Sequence, residues 1–266
     1  MASDPRRSRR IEPVSEEAEA GEIYDPRAEA RRGLVVWLAV GPVLAAIGFL
    51  GWLRLVSGVA EPAVLPNSFG ALALDLTLAL QFALSHSLLA RGFGRRLLNR
   101  PFGPAAERPL YVFASGVSLC LLVLVWKPSG PLLWQWEGWE RVIPRVIQAC
   151  GLGLVAWAAF VVGAAQLLGM PHLHALESGR REPQSEFTAL PPYSTIRQPI
   201  NLGFLLLLAG MPEVTADRLL LGLVLGAWIL LAAPIEERDL EIEFEGYSSY
   251  RERTPRWLPR LRGRER

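Results

Sequence analysis

Cysteine and histidine are both scarce in this chain, two of the first and three of the second among 266 residues. Cys120 and Cys150 each fall inside an apolar block, which argues against a disulfide framework or a cysteine metal cluster and makes both expected buried packing residues. His172 and His174 stand two apart in a polar stretch read as a loop. That spacing would set them on one face of a strand, but zinc wants three or four ligands and no others are near. The chain has no Gly-rich phosphate loop, no Gly-x-Ser-x-Gly elbow and no His-Glu-x-x-His, so phosphoryl transfer and zinc hydrolysis lack support. Net charge is also small, at +2, while arginine is clustered. Clusters of that kind orient a chain in a membrane rather than bind nucleic acid, and no nucleic-acid partner is expected. The basic start leads into an acidic, polar segment instead of the apolar run of a signal peptide.

What the chain does have is apolar residues in unbroken blocks, each about 18 or more residues long, the length that crosses a bilayer as helix. Residues 1–32, rich in Arg, Glu, Ala, Ser and Pro, cannot bury enough surface to order themselves and read as a disordered tail. Residues 33–266 read as one membrane domain. Its expected spans are Gly33 to Leu55, Phe69 to Ala90, Pro109 to Trp126 and Pro144 to Met170, with a Trp-rich link (Trp134, Trp136, Trp139) of the kind that lies at headgroup depth. Two further runs, Ile200 to Met211 and Leu219 to Ile235, are joined by so short a link that they must fold back as a helical hairpin. The first is short for a crossing, so five full spans plus a re-entrant arm stand beside six spans. Phe244, Tyr247 and Tyr250 recur at helical spacing and suggest an amphipathic surface helix. The fold class is all-α, a polytopic membrane protein with five to six transmembrane helices, a C-terminal helical hairpin and an amphipathic surface helix. Counting basic residues by side puts both termini in the cytoplasm and the protein in the cell (inner) membrane.

The hairpin returns its far end to the side where it began. Arg197, Gln198 and Pro199 precede it and Glu236 and Glu237 follow it, so a cation and two carboxylates converge at one face. Adjacent carboxylates suit a helix C-terminus poorly, because that end carries partial negative charge; a ligand ammonium or sulfonium would offset the cost, and a solvated boundary relieved by Arg238 is the alternative. Asp75, Gln81 and His86 lie within a span, where ionisable groups face protein or water; His86 is either a helix–helix hydrogen bonder or a catalytic group. Glu107 and Arg108 are either an interfacial ion pair or a ligand contact. Gly151, Gly153 and Gly163 suggest a small-residue packing face.

Several of these stretches carry a resemblance. QFALSHSLLARGFGRRL, PAAERPLYV, RQPINLGFLL, EERDL and FEGYSSYRERTPRWLPR are similar to blocks of the bacterial methanethiol S-methyltransferases, across about Phe69 to Arg260. These belong to the integral-membrane methyltransferases that include isoprenylcysteine carboxyl methyltransferase and phospholipid N-methyltransferases. The resemblance implies S-adenosylmethionine as cofactor, held by an RHPxYxG segment and a following Glu-Glu pair within residues 171–260, beneath a C-terminal helix. Arg197, Pro199, Gly203, Glu236, Glu237, Tyr247 and Tyr250 match that pattern, as do Arg253 and Pro255. Gln198 and Asn201 stand where the family has His and Tyr, and would take those positions at the cofactor. His86, Arg108 and Gln198 are the expected catalytic residues. The implied acceptor is a small thiol such as methanethiol; a lipophilic isoprenylcysteine- or phospholipid-type acceptor, or a silent protein that keeps the fold, are the alternatives. Gln can exchange hydrogen bonds like His, but it cannot titrate near neutral pH.

Overall fold

The computed structural model describes residues 26–58, 69–91, 94, 103–180 and 187–259. Helix α1 (Pro26–Ser57) starts within the stretch expected to be a disordered tail; the rest of that expectation, residues 1–25, lies outside the described residues. Helices α2 (Phe69–Leu89) and α3 (Pro104–Val125) follow, then strand β1 (Leu132–Gln135), a 3-10 turn (Gly138–Arg141) and helix α4 (Val142–Val162). After the short helices α5 (Ala164–Leu167) and α6 (Met170–Ser178) come α7 (Pro199–Ala209), strand β2 (Glu213–Thr215), α8 (Ala216–Glu243) and α9 (Tyr247–Arg253). Five of these helical stretches are long and apolar enough to cross a membrane, and α7 is a shorter apolar helix. Leu124 and Phe160 are 81% and 83% exposed, which in a water-facing protein would waste apolar area and here marks a lipid-facing surface.

Two sequence expectations need correcting. The fourth span does not run to Met170: α4 stops at Val162, because Gly163 takes φ 95°, a left-handed conformation no helix interior tolerates. The pair His172 and His174 is neither in a loop nor on a strand. It lies on α6, started by Pro171 in the first turn and ended by Gly179, so His172 is buried while His174 is exposed. The cysteines also differ from expectation. Cys120 is half-buried and its thiol donates to the Leu44 carbonyl, whereas Cys150 is exposed on α4.

Helix α7 packs mainly on α4 rather than on its hairpin partner α8. Glycines explain the choice. A Cβ on Gly151 would come within 2.7 Å of the Gly203 carbonyl, and one on Gly203 within 2.6 Å of Val155, so these backbones touch only because both residues lack one. Gly153 has open space around it and takes no part in this face. At the far end, β2 in the hairpin turn pairs antiparallel with β1 after α3, Leu132 opposite Thr215 and Gln135 opposite Glu213. The hairpin turn therefore lies at the same face as the link between α3 and α4. Trp52, Leu78, Leu122, Leu207, Leu221 and Leu225 close the core between α1, α2, α3, α7 and α8, with Phe49, Trp52 and Phe204 in ring contact.

Candidate functional site

At the opposite end of the hairpin the chain builds a dense polar node. Pro199 opens α7 at its first position, where a missing N–H costs nothing, and leaves Arg197 and Gln198 outside the helix, just before it. That chain pairs with the segment after α9: Arg197 N donates to Pro255 O at 2.9 Å and Gln198 N to Arg256 O at 3.2 Å. The pairing sets two guanidinium groups around one carboxylate. Arg197 donates through Nε and Nη2 to the two oxygens of Glu237, both at 3.0 Å; Arg256 does the same at 3.0 and 2.8 Å. Glu237 is 1% exposed, and its acidic partner role also pushes the Arg256 guanidinium further up from its usual range. Arg197 is saturated, since its Nη1 donates to the carbonyls of Arg251 and Thr254. It also borders a cavity of about 450 Å³ with Glu241, Ser248, Arg251 and Glu252.

Glu236 points elsewhere. Asn201 Nδ2 donates to its Oε2 at 3.1 Å and to Gln198 Oε1 at 2.7 Å, linking α7 to α8. The other oxygen of Glu236, Oε1, accepts no hydrogen bond among the described residues, and the Gln198 amide nitrogen likewise donates none. The adjacent carboxylates thus divide, one locked between arginines and one open on one side. Gly203, the last of the motif positions, is buried in the α4 contact rather than at this mouth.

A second cluster stands on α2 and α3. His86 is within hydrogen-bond distance of Tyr111 Oη, at 3.0 Å from Nε2, and of Ser115 Oγ, at 3.2 Å from Nδ1. Arg108 covers the Tyr111 ring at 5.1 Å and donates to the Leu167 carbonyl at 2.9 Å from Nη2, which ties α3 to the break after α4. Ser87, next to His86, accepts from Trp228 Nε1 on α8 at 2.6 Å, so α2 is fastened to the helix that carries Glu236. The charges of Glu236 and Arg91, after the end of α2, lie within mutual Coulombic reach. Asp75 is far from this end; it accepts from Lys127 N at 3.0 Å and from Ser129 Oγ at 3.4 Å, in the loop after α3.

Tyr247 and Tyr250, at the start of α9, are buried in an aromatic group with Phe187 and Phe244. Tyr250 Oη donates to Tyr193 O at 2.6 Å. Burial pushes the phenols of Tyr193 and Tyr247 up to about 12, and that of Tyr250 higher still, so all three stay protonated donors. They hold α9 against the chain that leads into Arg197.

Two residues of this end escaped the sequence reading. Arg256 left no signal, because its partner lies far away in the chain. Arg91 closes the Ser-His-Ser-Leu-Leu-Ala-Arg block, but a basic residue flanking a span reads as orientation. Its Nη2 is buried without a hydrogen-bond partner. Among the described residues no group of three or more His, Cys, Asp or Glu gathers to hold a metal ion.

A bundle of membrane-length helices with a polar node at one end of a helical hairpin defines an integral-membrane protein with a buried charged cluster at the end of that hairpin. Comparison with known proteins gives this class its chemistry. The chain is 32% identical over 243 residues to methanethiol S-methyltransferase 2 of Bradyrhizobium diazoefficiens, covering 89% of this chain and 94% of that protein. It is 33% identical over 218 residues to methanethiol S-methyltransferase of Pseudomonas deceptionensis, 78% of this chain and 82% of that protein. Nurim of Rattus norvegicus is 30% identical over 199 residues, 71% of this chain and 73% of its own. The chain belongs to the methanethiol S-methyltransferase family, and its class is that of membrane methyltransferases. No family model matches the chain and no solved structure is similar to it.

Proposed function

We propose that this protein moves the methyl group of S-adenosylmethionine to methanethiol or a thiol of similar size, within residues 33–266 and chiefly through 171–260. The observation that carries the reading is Glu236 Oε1, a half-buried carboxylate oxygen without a donor at the hairpin mouth, within Coulombic reach of the buried, unpartnered Nη2 of Arg91. An acceptor and a donor left open at one end of the bundle fit an amino-acid zwitterion, the polar end of such a cofactor. Glu236 would take its ammonium, Arg91 its carboxylate, and the free amide of Gln198 would add a donor. When bound, the cofactor supplies a methyl group already activated on sulfonium sulfur, so the protein's share is alignment and exclusion of water.

Glu237, Arg197 and Arg256 keep the mouth in shape, and Tyr247 and Tyr250 clamp α9 over it. Pro199 and Gly203 fix where α7 starts and how close it lies to α4. The acceptor thiol must lose its proton on becoming a thioether while the sulfonium–methyl bond breaks, and His86, held by Tyr111 and Ser115, would receive it. Arg108 holds Tyr111 from the other side. The lipid-facing surface between these helices lets a small apolar thiol arrive from the bilayer. The clusters of arginine support a cell inner-membrane location with both termini cytoplasmic.

The test is a headspace measurement of dimethyl sulfide from purified protein given S-adenosylmethionine and methanethiol, beside a prenylcysteine and a phospholipid amine as acceptors. We expect dimethyl sulfide from wild type and none from Glu236→Ala. Preference for a lipophilic acceptor would move the chain to the isoprenylcysteine- or phospholipid-type activity. A second reading, a silent scaffold, is favoured by one observation: Asn201 ties Gln198 to Glu236 where the family has Tyr and His. Turnover that appears only in Gln198→His would establish that reading.

A further inference from the structure

The other end of the bundle holds a cavity of about 970 Å³, bounded by the ends of α1 and α3, by β1 and β2, and by the first turn of α8. Asp217 and Glu236 are 19 residues apart on α8, so about 28 Å of helix separates this cavity from the proposed methyl-transfer site. Nothing in the proposed reaction uses this cavity, and a ligand bound in it would be independent of methyl transfer.

Asp217, one of its lining residues, is 2% exposed. One carboxylate oxygen accepts from Trp126 Nε1 at 2.9 Å, while the other, Oδ1, is buried with no hydrogen-bond partner. Buried acceptors are almost always satisfied, and a charged one most of all. The start of α8 favours the negative charge but supplies no donor to Oδ1. Asp75, within Coulombic range, has both its oxygens occupied, so the vacancy belongs to Asp217 alone of the two. The opposite charge lines the same space. Arg141 is anchored through Nε to the Trp136 carbonyl at 2.7 Å, its Nη groups making no hydrogen bond among the described residues, and Arg54 stands at the end of α1. Trp134 and Trp139, 58% and 77% exposed, mark this face as headgroup depth. Leu55 and Val123 give the wall an apolar part.

We propose that this cavity binds a phosphate–primary ammonium zwitterion, the headgroup chemistry of a phosphoethanolamine lipid. The ammonium donates to Asp217 Oδ1, and the phosphate faces Arg141 and Arg54. A primary ammonium brings three N–H donors, whereas a trimethylammonium of equal charge brings none and leaves the oxygen unsatisfied. That difference makes the site selective.

The test uses the full chain, delipidated in detergent and offered equal amounts of phosphatidylethanolamine, phosphatidylcholine and phosphatidylglycerol, with bound lipid read by native mass spectrometry. Wild type should retain phosphatidylethanolamine about tenfold over phosphatidylcholine, the value of one charge-assisted hydrogen bond. Asp217→Asn should erase that preference, and Arg141→Gln should weaken both phosphatidylethanolamine and phosphatidylglycerol. Equal retention of the ethanolamine and choline lipids by wild type overturns the proposal, as does a preference that survives in a folded Asp217→Asn. If that variant does not fold, Arg141→Gln decides, an unchanged lipid profile overturning it. Free phosphoethanolamine is the last arm. Displacement of the lipid by it supports the site and makes the headgroup sufficient, while displacement by phosphocholine at the same concentration counts against the site.

Discussion

Glu237 is the residue on which the site end turns. A carboxylate that is 1% exposed survives because two guanidinium groups satisfy it with four hydrogen bonds. Removing one partner of such a group leaves the other charges buried and uncompensated. Glu237→Ala should therefore cost about 3–5 kcal/mol and lower the apparent Tm in detergent sharply. Arg256→Ala should cost less, since its side chain is 30% exposed and its charge is partly screened. Equal losses in the two variants would show that the node is not arranged as described. Glu236→Ala should leave Tm nearly unchanged, because it gives up a single hydrogen bond from Asn201, which can turn to Gln198 alone. His172 gives a pH effect at the same scale. Burial first, and the Arg108 charge second, hold its imidazole below the usual 6.5, so the folded protein keeps it neutral where the unfolded chain would bind a proton. Stability is then full above about 6.5 and falls as pH drops from there toward the lowered folded value. Thermal unfolding across that window should show a flatter slope in His172→Gln than in wild type, and an unchanged slope would remove His172 from the account.

Among the elements, the pairing of α4 with α7 depends on the absence of two side chains. A methyl group added at Gly151 meets the backbone of α7 at 2.7 Å, where nothing flexible can yield, whereas one added at Gly153 meets nothing within 4 Å. Gly151→Ala should cost about 1–3 kcal/mol by overpacking. Gly153→Ala should be neutral or slightly stabilising, because alanine is the better helix former. The two variants side by side, compared by thermal unfolding, separate packing from propensity. Elements were also where the sequence was most and least legible. Span lengths and the hairpin follow from hydropathy, since a bilayer accepts only apolar runs of fixed length. The end of α4 does not, because Ala164 to Met170 stays apolar while Gly163 turns the backbone. Helix α6 hid behind Pro171 and two histidines, which read as a loop until Pro is recognised as a helix opener. At the site, the convergence of Arg197 with the Glu236–Glu237 segment was legible from the return of the hairpin. The division of labour between the two carboxylates was not, since it rests on Arg256 and Asn201, whose partners are distant in sequence.

For the molecule as a whole, the pairing of β1 with β2 decides how the chain threads. Strand β1 follows α3, and β2 lies between α7 and α8, so both links lie at one face while the Arg197–Glu237–Arg256 node lies at the other. Helix α7 is only 11 residues, about 17 Å of rise, and strand β2 starts at Glu213 beyond it. If this short helix and the residues flanking it carry the backbone from one face to the other, the five membrane-length helices become six crossings. A re-entrant arm would instead keep the hairpin turn away from β1. Single-cysteine labelling distinguishes these, and the chain's two cysteines make the background easy to prepare as Cys120→Ala/Cys150→Ala. With a membrane-impermeant maleimide on sealed vesicles of known orientation, Glu137→Cys and Thr215→Cys should label together from one side. Arg180→Cys and Arg253→Cys should label together from the other, and the arginine distribution makes that second side the cytoplasmic one. Labelling of Thr215→Cys in company with Arg180→Cys, with Arg253→Cys on the other side, would mean that α7 never crosses.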